Sequence, residues 1–134
     1  MATVLVDSNV LLDVLTIDPV WGERSARALA ECGGGNLLAI NSVIYAEVSV
    51  GFDRIEDVEA ALPDTLFQRL QIPWEAAFLA GKCFLHYRRR GGTRTAPLPD
   101  FFIGAHAAVA SFTLLTRDVT RYGTYFPRVR LLAP

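Results

Sequence analysis

The segment VLVDSNVLLDVL, Val4 to Leu15, decides how this 134-residue chain is read. Its start, taken with Thr3, is a short β-branched and apolar run, Thr3–Val6, suited to a strand buried on both faces. Its second half sets Val10, Leu11, Val14 and Leu15 at helical spacing and predicts that Asp13 faces outward. Between strand and helix stand Asp7, Ser8 and Asn9. A buried strand that delivers a carboxylate and turns at once into a helix is the opening of an α/β unit. The carboxyl ends of such strands are where these folds build their sites.

The alternation continues along the chain. Asp18 and Pro19 start a helix over about Val20–Glu31, with Trp21, Ala28 and Leu29 inward, and CGGGN stops it. Leu37–Ile40 reads as a second strand, and Ser42 as the N-cap of VIYAEVSVGF, a helix that carries Glu47. DRIEDVEAAL is a short, acidic, exposed helix closed by Pro63. FQRLQI is a third strand, ended by Pro73, and WEAAFLAGKCFLHYRRRGG a long amphipathic helix. TRTAPLP reads as a loop and DFFIGAHAAVAS as a helix beginning at Asp100. Phe112–Thr116 is a fourth strand, RDVTRYGTYFP a turn with a short helix, and VRLLAP a last short strand. Strands alternating with helices predict an α/β fold with a mostly parallel sheet in one domain, residues 1–134.

Composition narrows the classes. Apolar residues make up 51% of the chain, sufficient for a core without staples. The two cysteines, Cys32 and Cys83, form no metal-spaced or redox motif and suit a reducing, cytoplasmic setting. MATVLVDSN has no basic start and too short an apolar run for a leader, and no apolar stretch approaches a membrane span. The net charge of −1 hides an asymmetry. Residues 1–80 hold 12 acids and 4 bases, residues 81–134 hold 2 acids and 9 bases. The basic half could meet a polyanion, or the halves could neutralise each other across the fold. Arg88, Arg89, Arg90, Arg94 and Arg117 are the candidate polyanion contacts, although cations also suit the end of a helix.

Four acids stand out by position. Asp7 follows the first strand. Glu47 lies in an apolar helix after the second. Asp100 opens an apolar helix, and Asp118 sits two residues past the fourth strand. Singly, Asp7 and Asp100 could be helix caps and Asp118 a turn residue. Glu47 is harder to dismiss, because its neighbours Ala46 and Val48 suggest a mostly buried helix. Together they describe clustered carboxylates, which share protons or bind a cation. Oxygen ligands select hard ions such as Mg²⁺ or Mn²⁺, whose chemistry suits phosphodiester hydrolysis. Ser8, Asn9 and Thr116 are polar neighbours placed to orient the acids. Neither histidine has ligand spacing: His86 reads as a surface residue and His106 as core-edge. The glycines at 33–35 end a helix and form no phosphate loop.

The order VDSN (Asp7), YAEV (Glu47), LPDFFIGAHAA (Asp100) and LLTRDVTRY (Asp118) resembles the PIN domain, and within it the VapC-type ribonuclease toxins of type II toxin–antitoxin systems. The resemblance implies a three-layer α/β/α sandwich and a metal-dependent endoribonuclease. It implies catalytic roles for Asp7, Glu47, Asp100 and Asp118. Asp7 and Asp100 would be metal ligands, with Glu47 and Asp118 bound directly or through water, and Mg²⁺ or Mn²⁺ the cofactor. It further implies a homodimer, an RNA substrate, and a VapB-like antitoxin that joins a hetero-oligomer and sets a basic residue among the acids. Three other readings compete. They are a PIN-domain nuclease outside any toxin–antitoxin pair, a non-catalytic PIN-like binding module, and an aspartyl-phosphate phosphatase. The last wants Asp two residues after the first acid, where this chain has Asn9.

Overall fold

The computed structural model describes residues 2–92 and 98–134. Its elements run β1 (Thr3–Val6), α1 (Ser8–Leu15), α2 (Gly22–Gly33), β2 (Leu37–Asn41), α3 (Ser42–Ser49) and α4 (Ile55–Ala61). They continue with β3 (Gln68–Leu70), α5 (Trp74–Arg89), α6 (Leu98–Ala110), β4 (Thr113–Leu115), α7 (Val119–Tyr125) and β5 (Leu131–Leu132). The strands form one sheet in the order β3-β2-β1-β4-β5, and every pairing is parallel.

This order explains where a site can form. β1 lies in the middle because Val4, Leu5 and Val6 are apolar on both faces, and all three are buried. The chain leaves β1 in one direction, to β2 and β3, then crosses to the other side of β1 to place β4 and β5. Right-handed crossovers put α1–α4 on one face and α5–α7 on the other, which completes the α/β/α sandwich. The direction reverses between β1 and β4, so a crevice opens beyond their carboxyl ends. Pairing of Val6 with Leu115 brings Asp7 and Thr116 to the same edge.

The core is continuous across both layers. Leu5, Ile40, Ile44, Phe101, Ile103, Leu114 and Tyr122 are among its fully buried side chains. α6 is apolar nearly all round because it is covered on several sides, by α5, α7 and the sheet. Its small residues permit that closeness. A Cβ on Gly104 would lie 2.2 Å from the Phe126 ring.

Several boundaries differ from the sequence reading. Asn41, one residue before Ser42, caps α3, its side chain accepting from Ile44 N at 3.0 Å. Asn41 still pairs with Leu70 in the sheet, so strand passes into helix without a loop. α6 begins at Leu98, ahead of Asp100. Most of TRTAPLP, including Arg94, lies outside the described residues. His106 is deeper than core-edge, 2% exposed, with Nδ1 3.0 Å from the Asn41 amide nitrogen. Asp13 does not face outward. It is buried, accepts from Ser25 Oγ at 2.7 Å, and pairs with Arg117. That pair is the one link between the acidic and basic halves among the five ion pairs of the described residues.

Candidate active site

Asp7 extends β1 by one bond, its N–H donating to Leu115 O at 2.9 Å, before it becomes the extended N-cap of α1. Its carboxylate is 3% exposed and accepts from Ser8 N at 2.8 Å, Thr116 Oγ1 at 2.7 Å and Asn9 Nδ2 at 3.3 Å. Burial pushes its pKa up to about 6 against the Thr116 hydrogen bond, and the nearby charge of Asp100 adds to the rise. The carboxylate is thus fixed in place and poorly solvated.

Thr116 is the hub between the two strand ends. Its hydroxyl, fully buried, donates to Asp7 and accepts from Asp118 N at 3.0 Å. Asn9 spans the same gap, accepting from Arg117 N at 3.2 Å. Asp118 in turn caps α7 by accepting from Arg121 N at 3.3 Å. Glu47 enters from α3, half-buried, and accepts from Ser8 Oγ at 2.9 Å. Burial raises its pKa against that hydrogen bond, and Asp7 and Asp100 raise it further. Asp100, in the first turn of α6, forms an ion pair with Arg121. Its pKa is also raised, first by burial, with Arg121 opposing and Asp118 adding.

The structure therefore brings together Asp7, Glu47, Asp100, Asp118, Ser8, Asn9 and Thr116. Four of the five candidate RNA contacts lie among the described residues. Arg88 and Arg89 end α5 and Arg90 follows it, all exposed, with Arg88 5.8 Å over the Phe84 ring and Arg90 5.9 Å over the Tyr125 ring. Arg117 turns its guanidinium onto Asp13, at 2.9 and 3.0 Å, and over Trp21 at 5.0 Å. That geometry makes it a brace beside Asn9, whose side chain accepts from Arg117 N.

Two residues in the cluster carried no mark in the sequence reading. Arg121 supplies a cation to Asp100. Tyr122 is 1% exposed, and its hydroxyl has no hydrogen-bond partner. Burial, then the charges of Asp7 and Asp100, push that phenol well above its usual range. Their spacing from Asp118, three and four residues, is the signal available, since both fall on the turn of helix that Asp118 caps.

Among the described residues no three acidic, histidine or cysteine side chains close tightly enough to cage a metal ion by themselves. The donors still fit a hard cation that keeps its waters. All are oxygens, and they repel one another across the crevice.

The acids lie where the strand order of a parallel sheet reverses. The chain belongs to the PIN domain family, whose profile matches residues 4–124. A search of functionally curated proteins gave no match. The fold is shared with VapBC2 from Rickettsia felis, solved bound to a DNA fragment from its promoter, at 18% identity over 98% of both chains with a TM-score of 0.73. It is shared with FitAcB from Neisseria gonorrhoeae at 19% identity over 96% of both chains, TM-score 0.71. A toxin–antitoxin complex from Klebsiella pneumoniae matches at 22% identity over 87% of this chain and 88% of that one, TM-score 0.66.

Proposed function

We propose that this chain is a Mg²⁺- or Mn²⁺-dependent endoribonuclease, one PIN-like domain over residues 1–134, acting as the toxin of a toxin–antitoxin pair. The observation that carries the nuclease reading is Asp7. It is a carboxylate buried at the switch point with a pKa near 6, surrounded by three further acids. A binding module gains nothing from such mutual repulsion, which argues against the non-catalytic reading.

Each residue has a role in that chemistry. Asp7 and Asp100 would hold the cation, with Glu47 and Asp118 directly or through water. When bound, the ion supplies an activated water and neutralises charge on a phosphoryl oxygen. Thr116, Asn9 and Ser8 N lock the Asp7 carboxylate so that it need not reorganise. Glu47, its pKa raised and its orientation set by Ser8, would take a proton from the attacking water. Asp118 anchors α7 at the rim of the crevice.

The toxin role is supported by the VapBC, FitAcB and toxin–antitoxin complexes that share the fold. An antitoxin would silence the site with a guanidinium among the acids, while its helix lies on the apolar surface nearby. Tyr45 of α3, Ile55 of α4 and Leu70 of β3 line one such open groove. A homodimer and a hetero-oligomer with antitoxin would cover exposed apolar residues such as Trp74 and Phe78 on α5. No helix among the described residues is long and apolar enough to cross a membrane, and a cytoplasmic site of action fits that reading.

The experiment is RNA cleavage by purified wild-type protein, Asp7→Asn and Glu47→Gln in Mg²⁺ and in Mn²⁺. Both variants should stay folded by circular dichroism and lose cleavage. Wild-type rates in Asp7→Asn would refute the site assignment. Cleavage without a neighbouring antitoxin gene would favour the PIN nuclease outside a toxin–antitoxin pair.

A further inference from the structure

The acid cluster already contains a guanidinium of its own. Arg121 reaches from α7 to the Asp100 carboxylate on α6, and both side chains are partly buried, at 18% and 24% exposure. The backbone beneath Arg121 is held independently of that contact. Asp118 caps the helix through Arg121 N, and Tyr122 and Phe126 are sunk in the core. The Arg121 side chain can therefore swing while its helix stays in place. The charges facing it are Asp100 and Asp118, the acids that the proposed metal site would use.

A guanidinium and a hard divalent cation want the same thing from Asp100, its carboxylate oxygens. Occupation by one weakens the other, and the coupling is reciprocal. A guanidinium released at the rim of the crevice is also a planar fork of donors suited to phosphate. The tether that keeps it near the acids then keeps it near the scissile group.

We propose that Arg121 is an internal counter-ion that competes with the divalent cation for Asp100 and, once displaced, holds the RNA phosphate beside it. The inference rests on the metal-site reading given above. It makes Arg121 a substrate-positioning residue whose two effects have opposite signs, a pattern that simple loss of structure does not produce. Removing it should help the metal and harm the RNA.

The test uses the full chain as wild type, Arg121→Gln and Arg121→Lys. Mn²⁺ binding is measured by calorimetry at fixed ionic strength. RNA binding is measured with a cleavage-resistant phosphorothioate oligoribonucleotide in saturating Mg²⁺. Arg121→Gln should bind Mn²⁺ about five-fold more tightly, the scale of a partly exposed ion pair, and the oligonucleotide about five-fold or more weakly. Arg121→Lys keeps the charge and should stay near wild type for metal while losing part of the RNA affinity, because it lacks the fork. Unchanged Mn²⁺ affinity in Arg121→Gln overturns the competition, and unchanged oligonucleotide affinity overturns the transfer to phosphate. Failure of wild type and both variants to bind Mn²⁺ at all overturns the metal-site reading itself, and this inference with it.

Discussion

Arg117 and Asp13 form a two-point ion pair, Nε to Oδ2 at 2.9 Å and Nη2 to Oδ1 at 3.0 Å, that joins α1 to the loop after β4. The Asp13 side chain is 4% exposed and that of Arg117 33%. Ser25 Oγ of α2 completes the carboxylate's shell at 2.7 Å. The same loop supplies Arg117 N to Asn9 and Asp118 N to Thr116. The brace therefore fixes the two strand ends that carry the site.

Arg117→Gln should accordingly destabilise the fold. It leaves Asp13 buried with Ser25 as its remaining charge-stabilising side chain. Loss of one partner of a buried pair costs about 3–5 kcal/mol, and the one-third exposure of Arg117 lowers this to about 2 kcal/mol. Urea denaturation measures it. The double variant Asp13→Asn, Arg117→Gln should recover part of the loss, because the buried charge is gone. A single variant as stable as wild type would show that the pair is idle.

Asp7 makes the opposite contribution. Its carboxyl titrates near 3.8 when free and at about 6 in the fold. The folded chain holds that proton more tightly, so the associated stability is full below about pH 4 and is lost as pH rises through about 6. Asp7→Asn removes that loss. Without metal, the variant should be more stable than wild type by up to about 3 kcal/mol at about pH 7.5, and the gap should close toward about pH 4. Denaturation in a chelator across this range tests it. A variant less stable at neutral pH would mean that the hydrogen bonds from Ser8, Asn9 and Thr116 outweigh the desolvated charge.

The contrast between these two aspartates shows what the sequence can carry. Asp7 was legible because its signal is local: an apolar strand, a carboxylate, a helix. Asp118 followed from the same logic at β4, whereas Glu47 was singled out by its apolar neighbours in the helix after β2. Asp13 was misread because helical periodicity reports one buried face. α1 is covered twice, by α2 through Ser25 and by the β4 loop through Arg117. Arg121 left no pattern, since its contact with Asp100 exists only once α6 and α7 pack. Tyr122 drew no mark either, because the place of its buried hydroxyl beside Asp7 is a tertiary fact.

The arginines at the end of α5 offer a separable prediction. Arg88, Arg89 and Arg90 are exposed, and none forms an ion pair among the described residues. Replacing all three with Gln should weaken RNA binding and lower the slope of log affinity against log salt by about 2, near 0.7 per lost contact to a single strand. Thermal stability should fall by less than about 1 kcal/mol, the scale of charge at a helix end. An unchanged salt slope would leave these residues with the helix-end role alone.

Gly104 ties the packing of α6 to the site through Phe126. A Cβ at this position would meet the ring at 2.2 Å from Cε2 and 2.4 Å from Cδ2. Phe126 is 4% exposed and lies edge-on to Phe101 at 6.5 Å, so displacing its ring disturbs packed neighbours. Gly104→Ala would gain about 1 kcal/mol of helix propensity. Overpacking a close-packed core costs about 1–3 kcal/mol, and the ring must also move its own neighbours. The expected outcome is a net loss of about 1–2 kcal/mol. Phe126 follows directly on α7, which carries Arg121 and Tyr122, so displacing the ring pulls on that helix. Phe126→Leu shortens the obstacle. In a double-mutant cycle, Gly104→Ala should therefore be less harmful in the Phe126→Leu background than in wild type. Equal losses in both backgrounds would show that the ring is not what the new methyl meets.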